Sequence, residues 1–145
     1  LSVYKSYLKE CNIPVVINKT YFILNQADAA IVTSGTATLE TALFNVPQVV
    51  CYQTSWLSYI IAKILVNVKY ISLVNLISNQ EVVKELIQSD LSVNNLVHEL
   101  DILLSKEGSN KMVEKYGELI DLLGGVGASE RVACSMFKDL KSRCV

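Results

Sequence analysis

Hydrophobic residues along the chain alternate between short runs that fit buried strands and segments with helical spacing. Runs of β-branched and other apolar residues predict strands at 13–17, 29–33, 48–52 and 70–73. Apolar positions three and four residues apart predict helices at 2–11, 20–26, 36–44 and 56–66. This alternation favours an α/β fold, a parallel sheet with helices on its faces.

After Asn75 only helical spacing continues. It predicts helices at 81–87, 92–104, 110–123 and 129–141, with no strand between them. Ser92 fits a helix N-cap, and the glycine-rich segment 124–127 separates the last two helices. We predict one domain over 1–145 with a helical tail at 92–145, suited to packing against a neighbouring domain. Because the chain opens at Leu1 inside a helical pattern, we expect further sequence before it.

The junction between predicted strand 29–33 and helix 36–44 has the pattern of an anion site. It reads Ser34-Gly35-Thr36-Ala37-Thr38-Leu39-Glu40. Gly35 allows a sharp turn, and the first N–H groups of the helix have no intrahelical partners and lie at its positive end. The hydroxyls of Ser34 and Thr36 lie beside them.

Glu40 follows Thr36 by one helical turn, about 6 Å along the axis. A carboxylate there repels phosphate but accepts hydrogen bonds from two sugar hydroxyls, so the segment fits the phosphate and ribose of a nucleotide. The alternative is an ordinary strand-turn-helix corner in which Ser34 caps the helix and Glu40 is solvated.

Polar residues also mark the ends of neighbouring predicted strands. Ser34, Tyr52 and Asn75 each lie at the carboxyl end of one. Because ligands of open α/β sheets bind at that edge, we expect these three residues to converge on one site.

Charge and cysteine spacing argue against several classes of site. The 13 basic and 14 acidic residues give a net charge of -1 without a basic, aromatic-rich stripe, so a nucleic acid partner is disfavoured. Four cysteines without C-x-x-C spacing and one histidine argue against a metal site. Cys51 falls in an apolar strand pattern and Cys134 in a helical pattern, which predicts buried free thiols in the reducing cytoplasm.

The longest apolar stretch, 56–66, is shorter than the roughly 20 residues that cross a bilayer. We favour a buried helix there. The alternative is a helix that contacts a membrane surface through the face containing Trp56 and Tyr59.

The chain resembles the lipid-A-disaccharide synthase family in four ordered segments, strongly over 27–88 and more weakly beyond. The segments are 34–40, 47–50, 70–77 and 81–88. Members are inverting glycosyltransferases of the GT-B architecture, in which two Rossmann-like domains face each other across a cleft. The resemblance implies that this chain is the carboxyl-terminal, Rossmann-like half, and that the amino-terminal acceptor domain lies outside it.

The family's reaction transfers 2,3-diacylglucosamine from UDP to 2,3-diacylglucosamine 1-phosphate, a step of lipid A and lipopolysaccharide biosynthesis in Gram-negative bacteria. The resemblance implies a cytoplasmic homodimer without metal or other cofactor, with peripheral contact at the inner face of the inner membrane. The general base is expected in the amino-terminal domain, so this chain alone would bind UDP without turnover. His98, a potential substitute base, fits a helix histidine that is either on the surface or hydrogen-bonded within the protein.

By the same resemblance, Ser34, Gly35 and Thr36 hold the pyrophosphate, Glu40 holds the ribose and Asn75 contacts the donor sugar. The residues expected to line the cleft are Thr38, Tyr52, Glu85 and Gln88, the last two on the helix predicted after Asn75. Val74 stands where the family commonly has proline, which alters the turn before Asn75.

Two other functions stay open. Another GT-B UDP-sugar glycosyltransferase or a UDP-sugar epimerase would share the strand-turn-helix and the ribose carboxylate. A non-catalytic α/β regulatory or interaction module would use Ser34 only as a helix cap.

Overall fold

The computed structural model describes residues 7–8, 13–55 and 69–143, which contain a three-stranded sheet and its surrounding helices. The strands are β1 (Ala30–Thr33), β2 (Gln48–Tyr52) and β3 (Lys84–Ile87). The helices are α1 (Thr20–Leu24), α2 (Thr36–Leu43), α3 (Leu73–Ser78), α4 (Val93–Leu104), α5 (Lys106–Leu122) and α6 (Ala128–Arg143). The predicted helix at 56–66 and nearly all of the one at 2–11 lie outside the described residues.

The sheet is parallel throughout, with β2 between β1 and β3. Val32 pairs with Val50, which in turn pairs with Glu85. Helices on both faces confirm the predicted α/β fold. Since the three strands run in one direction, their carboxyl ends meet at a single edge, which we call the carboxyl edge.

The two faces of the sheet bury separate apolar clusters. Val50 faces α2, α3 and α5, where it packs with Ala42, Val74 and Tyr116. Its neighbour Val49 points to the other face, where Leu103 of α4 covers it. Both valines are essentially inaccessible to solvent, as expected for a central strand that is covered on both faces.

The predicted strand at 70–73 is wrong, because Leu73 begins α3. Ser72 is the N-cap of this helix, and its hydroxyl accepts a hydrogen bond from the Asn75 N–H at 3.3 Å. Asn75 therefore lies within a helix rather than after a strand. The apolar run alone favours a strand, but the Ser72 cap favours a helix because it satisfies an otherwise unpaired N–H.

The predicted helix at 81–87 is also wrong, because residues 84–87 form β3. The buried residues Val82, Val83 and Leu86 have a spacing that fits either a helix or a strand. Pairing with β2 decides between them, because it satisfies backbone groups that a helix would leave exposed on β2. Glu85 therefore lies in a strand and Gln88 directly follows it, and a strand does interrupt the later helices.

Residues 13–17 do not form the strand that was predicted for them. No described strand pairs with this segment, and Val15, Val16 and Ile17 are each more than two-fifths exposed. A short apolar run forms a strand only when its backbone groups pair with those of a neighbouring strand.

Most helix boundaries in the tail agree with the sequence signals, but α5 begins at Lys106 rather than at the predicted residue 110, because Ser105 caps it. The Ser92 hydroxyl accepts from the Asn95 N–H at 3.2 Å, which confirms the predicted N-cap of α4. Gly124, Gly125 and Gly127 have φ values of 76°, 63° and 91°, so this segment separates α5 from α6 as predicted.

The prediction that Cys134 is buried is wrong, because it lies exposed on α6. The apolar side chains of α6 are exposed as well, since no other described element covers that helix. Cys51 on β2 is partly buried, and this burial raises the pKa of its thiol. Within the described ranges, no helix combines the length and hydropathy that a membrane span requires.

Candidate functional site

The turn between β1 and α2 presents three backbone donors to solvent. Gly35 is the N-cap of α2, and no side chain caps the helix. The N–H groups of Gly35, Thr36 and Ala37 make no hydrogen bond to another described residue, whereas the Thr38 N–H donates to the Gly35 carbonyl at 3.2 Å. These free donors lie at the positive end of an eight-residue helix, which favours a bound anion.

Gly35 has a φ of 147°, a conformation that other residues rarely adopt. A Cβ at this position would meet no atom within 4 Å. The requirement for glycine is therefore conformational, because no described atom would collide with a side chain here.

Ser34 does not cap α2, so this part of the alternative is wrong. Its hydroxyl donates to the Ile71 carbonyl at 3.3 Å and its N–H donates to the Cys51 carbonyl at 3.1 Å. Both of its donors are therefore in use. Of the two predicted hydroxyls, that of Thr36 is the exposed one, and it has no partner among the described residues.

Thr38 is fully buried, and its hydroxyl donates to the Gly35 carbonyl at 2.7 Å. This bond supports the turn from inside the protein. The side chain therefore does not line a cleft within the described part, contrary to the expectation for Thr38.

Glu40 lies one turn along α2 and is partly buried. It lines a surface pocket of about 470 Å³ together with the segment that precedes and begins α1. That segment contributes Asn18, Lys19, Thr20, Tyr21 and Phe22. The Tyr21 ring stacks on Phe44 at a centroid distance of 5.3 Å, which fixes one wall of the pocket.

Sequence reasoning missed this wall of the pocket. The available signal was Lys19 next to two aromatic residues on a helix too short to bury both rings. The Ala37 amide is one of the free N–H groups that the predicted helix start already indicated.

Asn75 is fully buried and makes four hydrogen bonds through its side-chain amide. Its oxygen accepts from the N–H groups of Val82 and Val83 at 2.8 and 2.9 Å. Its nitrogen donates to the Val83 carbonyl and to Glu85 Oε1, both at 2.8 Å. These bonds use the full capacity of the amide and give Asn75 a structural role, joining α3 to β3. Its contact with a sugar stays a prediction.

Gln88 connects two of the strand ends at the carboxyl edge. Its Oε1 accepts from the Thr54 N–H at 2.9 Å, and its Nε2 donates to the Thr54 carbonyl at 3.1 Å. This pair of bonds fixes the segment after β2, where Tyr52 ends the strand partly exposed. Ser34, Tyr52 and Gln88 therefore mark the ends of β1, β2 and β3 at one edge.

The chemistry of this edge is that of hydrogen-bond donors. Among residues 7–8, 13–55 and 69–143, no group of three His, Cys, Asp or Glu side chains has the arrangement for a metal ion. His98 lies exposed on α4, which is one of its two predicted settings. The arrangement is suited to holding an anion at the turn and hydroxyl groups at Glu40.

Comparison with known proteins identifies the family to which the chain is similar. The model of the lipid-A-disaccharide synthetase family matches residues 1–136. The chain is similar to the lipid-A-disaccharide synthase of Syntrophus aciditrophicus, with 43% identity over 79% of this chain and 30% of that protein. The corresponding protein of Psychromonas ingrahamii is 40% identical over 82% of this chain and 31% of its own length.

A third relative, the lipid-A-disaccharide synthase of an Anaeromyxobacter species, is 35% identical over 92% of this chain and 35% of its own length. The chain thus spans about a third of the length of these curated relatives. The family match covers almost all of it, and the parallel sheet fits a Rossmann-like half. The chain belongs to the lipid-A-disaccharide synthetase family.

Proposed function

We propose that this chain is the UDP-sugar-binding part of an inverting glycosyltransferase, a lipid-A-disaccharide synthase. The intact protein would transfer 2,3-diacylglucosamine from UDP to 2,3-diacylglucosamine 1-phosphate. One observation carries the proposal: three free amides at the start of α2 lie one helical turn from the carboxylate of Glu40. Membership of the family supports the choice of reaction.

The pyrophosphate of the donor would bind at the turn. The amides of Gly35, Thr36 and Ala37 and the Thr36 hydroxyl are the free donors there. As the glycosidic bond breaks, negative charge grows on the departing diphosphate. Donors that are already oriented therefore stabilise the transition state more than the ground state. In this proposal the helix N-terminus, rather than a metal ion, supplies the positive potential.

The ribose would bind at Glu40. A carboxylate accepts hydrogen bonds from both ribose hydroxyls, and its position one turn below Thr36 suits the distance between phosphate and ribose. The adjoining pocket has the volume of a small-molecule site, which gives the rest of the nucleoside room beside the carboxylate.

The remaining parts of the reaction would lie outside this chain. We propose that the amino-terminal domain binds the acylated acceptor and carries the base that activates its 6-hydroxyl. We also propose a cytoplasmic homodimer with peripheral contact at the inner face of the inner membrane, because both substrates carry acyl chains. The exposed apolar residues of α6 support a further contact surface.

UDP binding to the full-length protein tests the site. We expect Glu40→Ala to weaken UDP binding about 10-fold to 100-fold, since a hydrogen bond to a charged acceptor contributes about 1.5–3 kcal/mol. Glu81→Ala is the matched control, because Glu81 precedes β3 at the opposite edge and is exposed. Equal affinities for Glu40→Ala and the wild type would remove Glu40 from the site, and a wild type that binds no UDP would favour the regulatory module.

UDP release tests the reaction. We expect the full-length protein to release UDP only when both acylated sugars are present. Release of UDP with an unacylated acceptor would contradict the proposal that the acceptor is a lipid, and would favour another GT-B glycosyltransferase.

A further inference from the structure

Glu85 accepts four hydrogen bonds, and most of them hold one short segment of backbone. Its carboxylate accepts from the Ile71 and Ser72 N–H groups at 2.9 Å each. It also accepts from the Ser72 hydroxyl and from Asn75 Nδ2, both at 2.8 Å. Three of these bonds end on Oε1, and the bond from the Ile71 N–H ends on Oε2. The segment 71–72 is therefore fixed to the middle of β3.

The same segment reaches the phosphate turn. The Ile71 carbonyl accepts from the Ser34 hydroxyl at 3.3 Å, while the Ser34 N–H donates to the Cys51 carbonyl at 3.1 Å. Ser34 is thus held on one side by β2 and on the other by Ile71. Because Ser34 directly precedes Gly35, its orientation sets the direction of the three free amides that follow.

We propose that Glu85 is a positioning residue for the phosphate turn, acting through Ile71 and Ser34. This proposal rests on the proposed function, because the turn matters only if it binds the diphosphate. It replaces two direct contacts that the sequence suggested, those of Ser34 with phosphate and of Glu85 with the cleft. Instead, hydrogen bonds between Glu85 and Ile71 and between Ile71 and Ser34 orient the amides before the ligand binds. We call this series of bonds the relay.

The chemical advantage lies in preorganisation. Amides that are already aimed at the diphosphate need no reorganisation as charge develops on it. A misplacement of about 1 Å at such a site lowers a rate by about 100-fold. A fixed Ser34 therefore contributes to catalysis although both of its donors are used within the protein.

The first experiment measures amide hydrogen exchange in the ligand-free, full-length protein. In Glu85→Gln the new NH₂ group faces N–H donors, so the bonds to Ile71 and Ser72 cannot all persist. We expect the protected Ser34 and Thr38 amides to exchange about 3-fold to 10-fold faster in Glu85→Gln and in Ser34→Ala. Ser34→Thr keeps the hydroxyl and should exchange like the wild type, as should Glu81→Gln. Unchanged exchange at Ser34 and Thr38 in Glu85→Gln would overturn the relay.

The second experiment is a double-mutant cycle on the UDP dissociation constant and on kcat/KM. We expect each single substitution to weaken UDP binding about 3-fold to 10-fold. The double variant should lie within about twofold of Ser34→Ala, because Glu85 then has nothing left to position. Effects that multiply in the double variant would mean that Glu85 contacts the ligand itself, and would overturn the proposal.

Amide exchange tests whether Glu85 positions the turn, and UDP binding tests whether the turn is a nucleotide site, so the two hypotheses can fail independently. A wild type that binds no UDP contradicts the nucleotide site, while the ligand-free exchange still decides whether Glu85 positions the turn. Should Glu85→Gln fail to fold, Glu85→Asp provides the second variant. It keeps the charge but withdraws the oxygens by one methylene, and the same changes in exchange at Ser34 and Thr38 are expected.

Discussion

Replacing Tyr116 with phenylalanine removes a single hydroxyl from the centre of the core. Tyr116 is fully buried, and its hydroxyl donates to the Val46 carbonyl at 3.2 Å. The same oxygen accepts from Gln48 Nε2 at 3.2 Å. Gln48 Nε2 keeps a second partner in the Thr38 carbonyl at 2.9 Å, so the main loss in Tyr116→Phe is the donor to Val46.

A buried carbonyl that loses its donor destabilises the folded state by about 1–3 kcal/mol. We expect Tyr116→Phe to lower the free energy of unfolding by this amount, measured by urea denaturation with far-ultraviolet circular dichroism. Tyr7→Phe is the matched control. Tyr7 is 85% exposed, so its hydroxyl is solvated in both states and the change should stay within about 0.5 kcal/mol.

The pH dependence gives an independent check. Burial raises the pKa of Tyr116 above its ordinary value of 10.0. The folded protein therefore keeps the phenolic proton at a pH where the unfolded chain has lost it. The resulting stability is fully present below pH 10.0 and declines above it, by up to about 1.4 kcal/mol per pH unit.

Tyr116→Phe lacks this proton, so the difference in unfolding free energy between wild type and variant should shrink above pH 10.0. Urea titrations at about pH 8 and about pH 11 measure that difference. A difference that stays constant over this range would refute the argument that a neutral, buried phenol supports the carbonyl of Val46.

Two further predictions concern the turn and the thiols. Gly35→Ala should lower the unfolding free energy by about 1–3 kcal/mol and weaken UDP binding, because alanine rarely adopts a φ of 147°. Gly117→Ala, in the exposed interior of α5 with no atom near a new Cβ, should instead raise stability by about 0.5–1 kcal/mol; a loss in both variants would contradict the conformational argument. With a thiol reagent at neutral pH, Cys134 should react several-fold faster than Cys51, because Cys134 is exposed while burial raises the pKa of Cys51. Peptide mass spectrometry measures both rates, and faster labelling of Cys51 would contradict the burial of β2.

The strand-turn-helix at the phosphate turn was predictable from the sequence because every local signal agrees there. The β-branched run before Ser34, the glycine and the helical spacing after it each favour the same structure. The observed bounds of β1 and α2 differ from the predicted ones by one residue at most. The N-cap at Ser92 was predictable for the same reason, since a cap depends on residues three positions apart.

Elements whose local signals conflict needed the tertiary structure. The segment around Val82 fits a helix or a strand equally well by spacing, and only the free edge of β2 makes it β3. The segment at 13–17 has strand-like residues, but no described strand pairs with it. Pairing between distant segments is not encoded in the spacing of either one.

By itself, the sequence determined the family, the fold class and the positions of the turn and of Glu40, because these depend on short patterns in fixed order. The tertiary structure decided which polar groups remain free. Ser34 bonds to Ile71 across 37 residues, and Gln88 bonds to Thr54 across 34. Because a hydroxyl has one proton to donate and a carboxylate about four acceptor positions, these distant partners decide whether a polar side chain binds a ligand or holds the site in place.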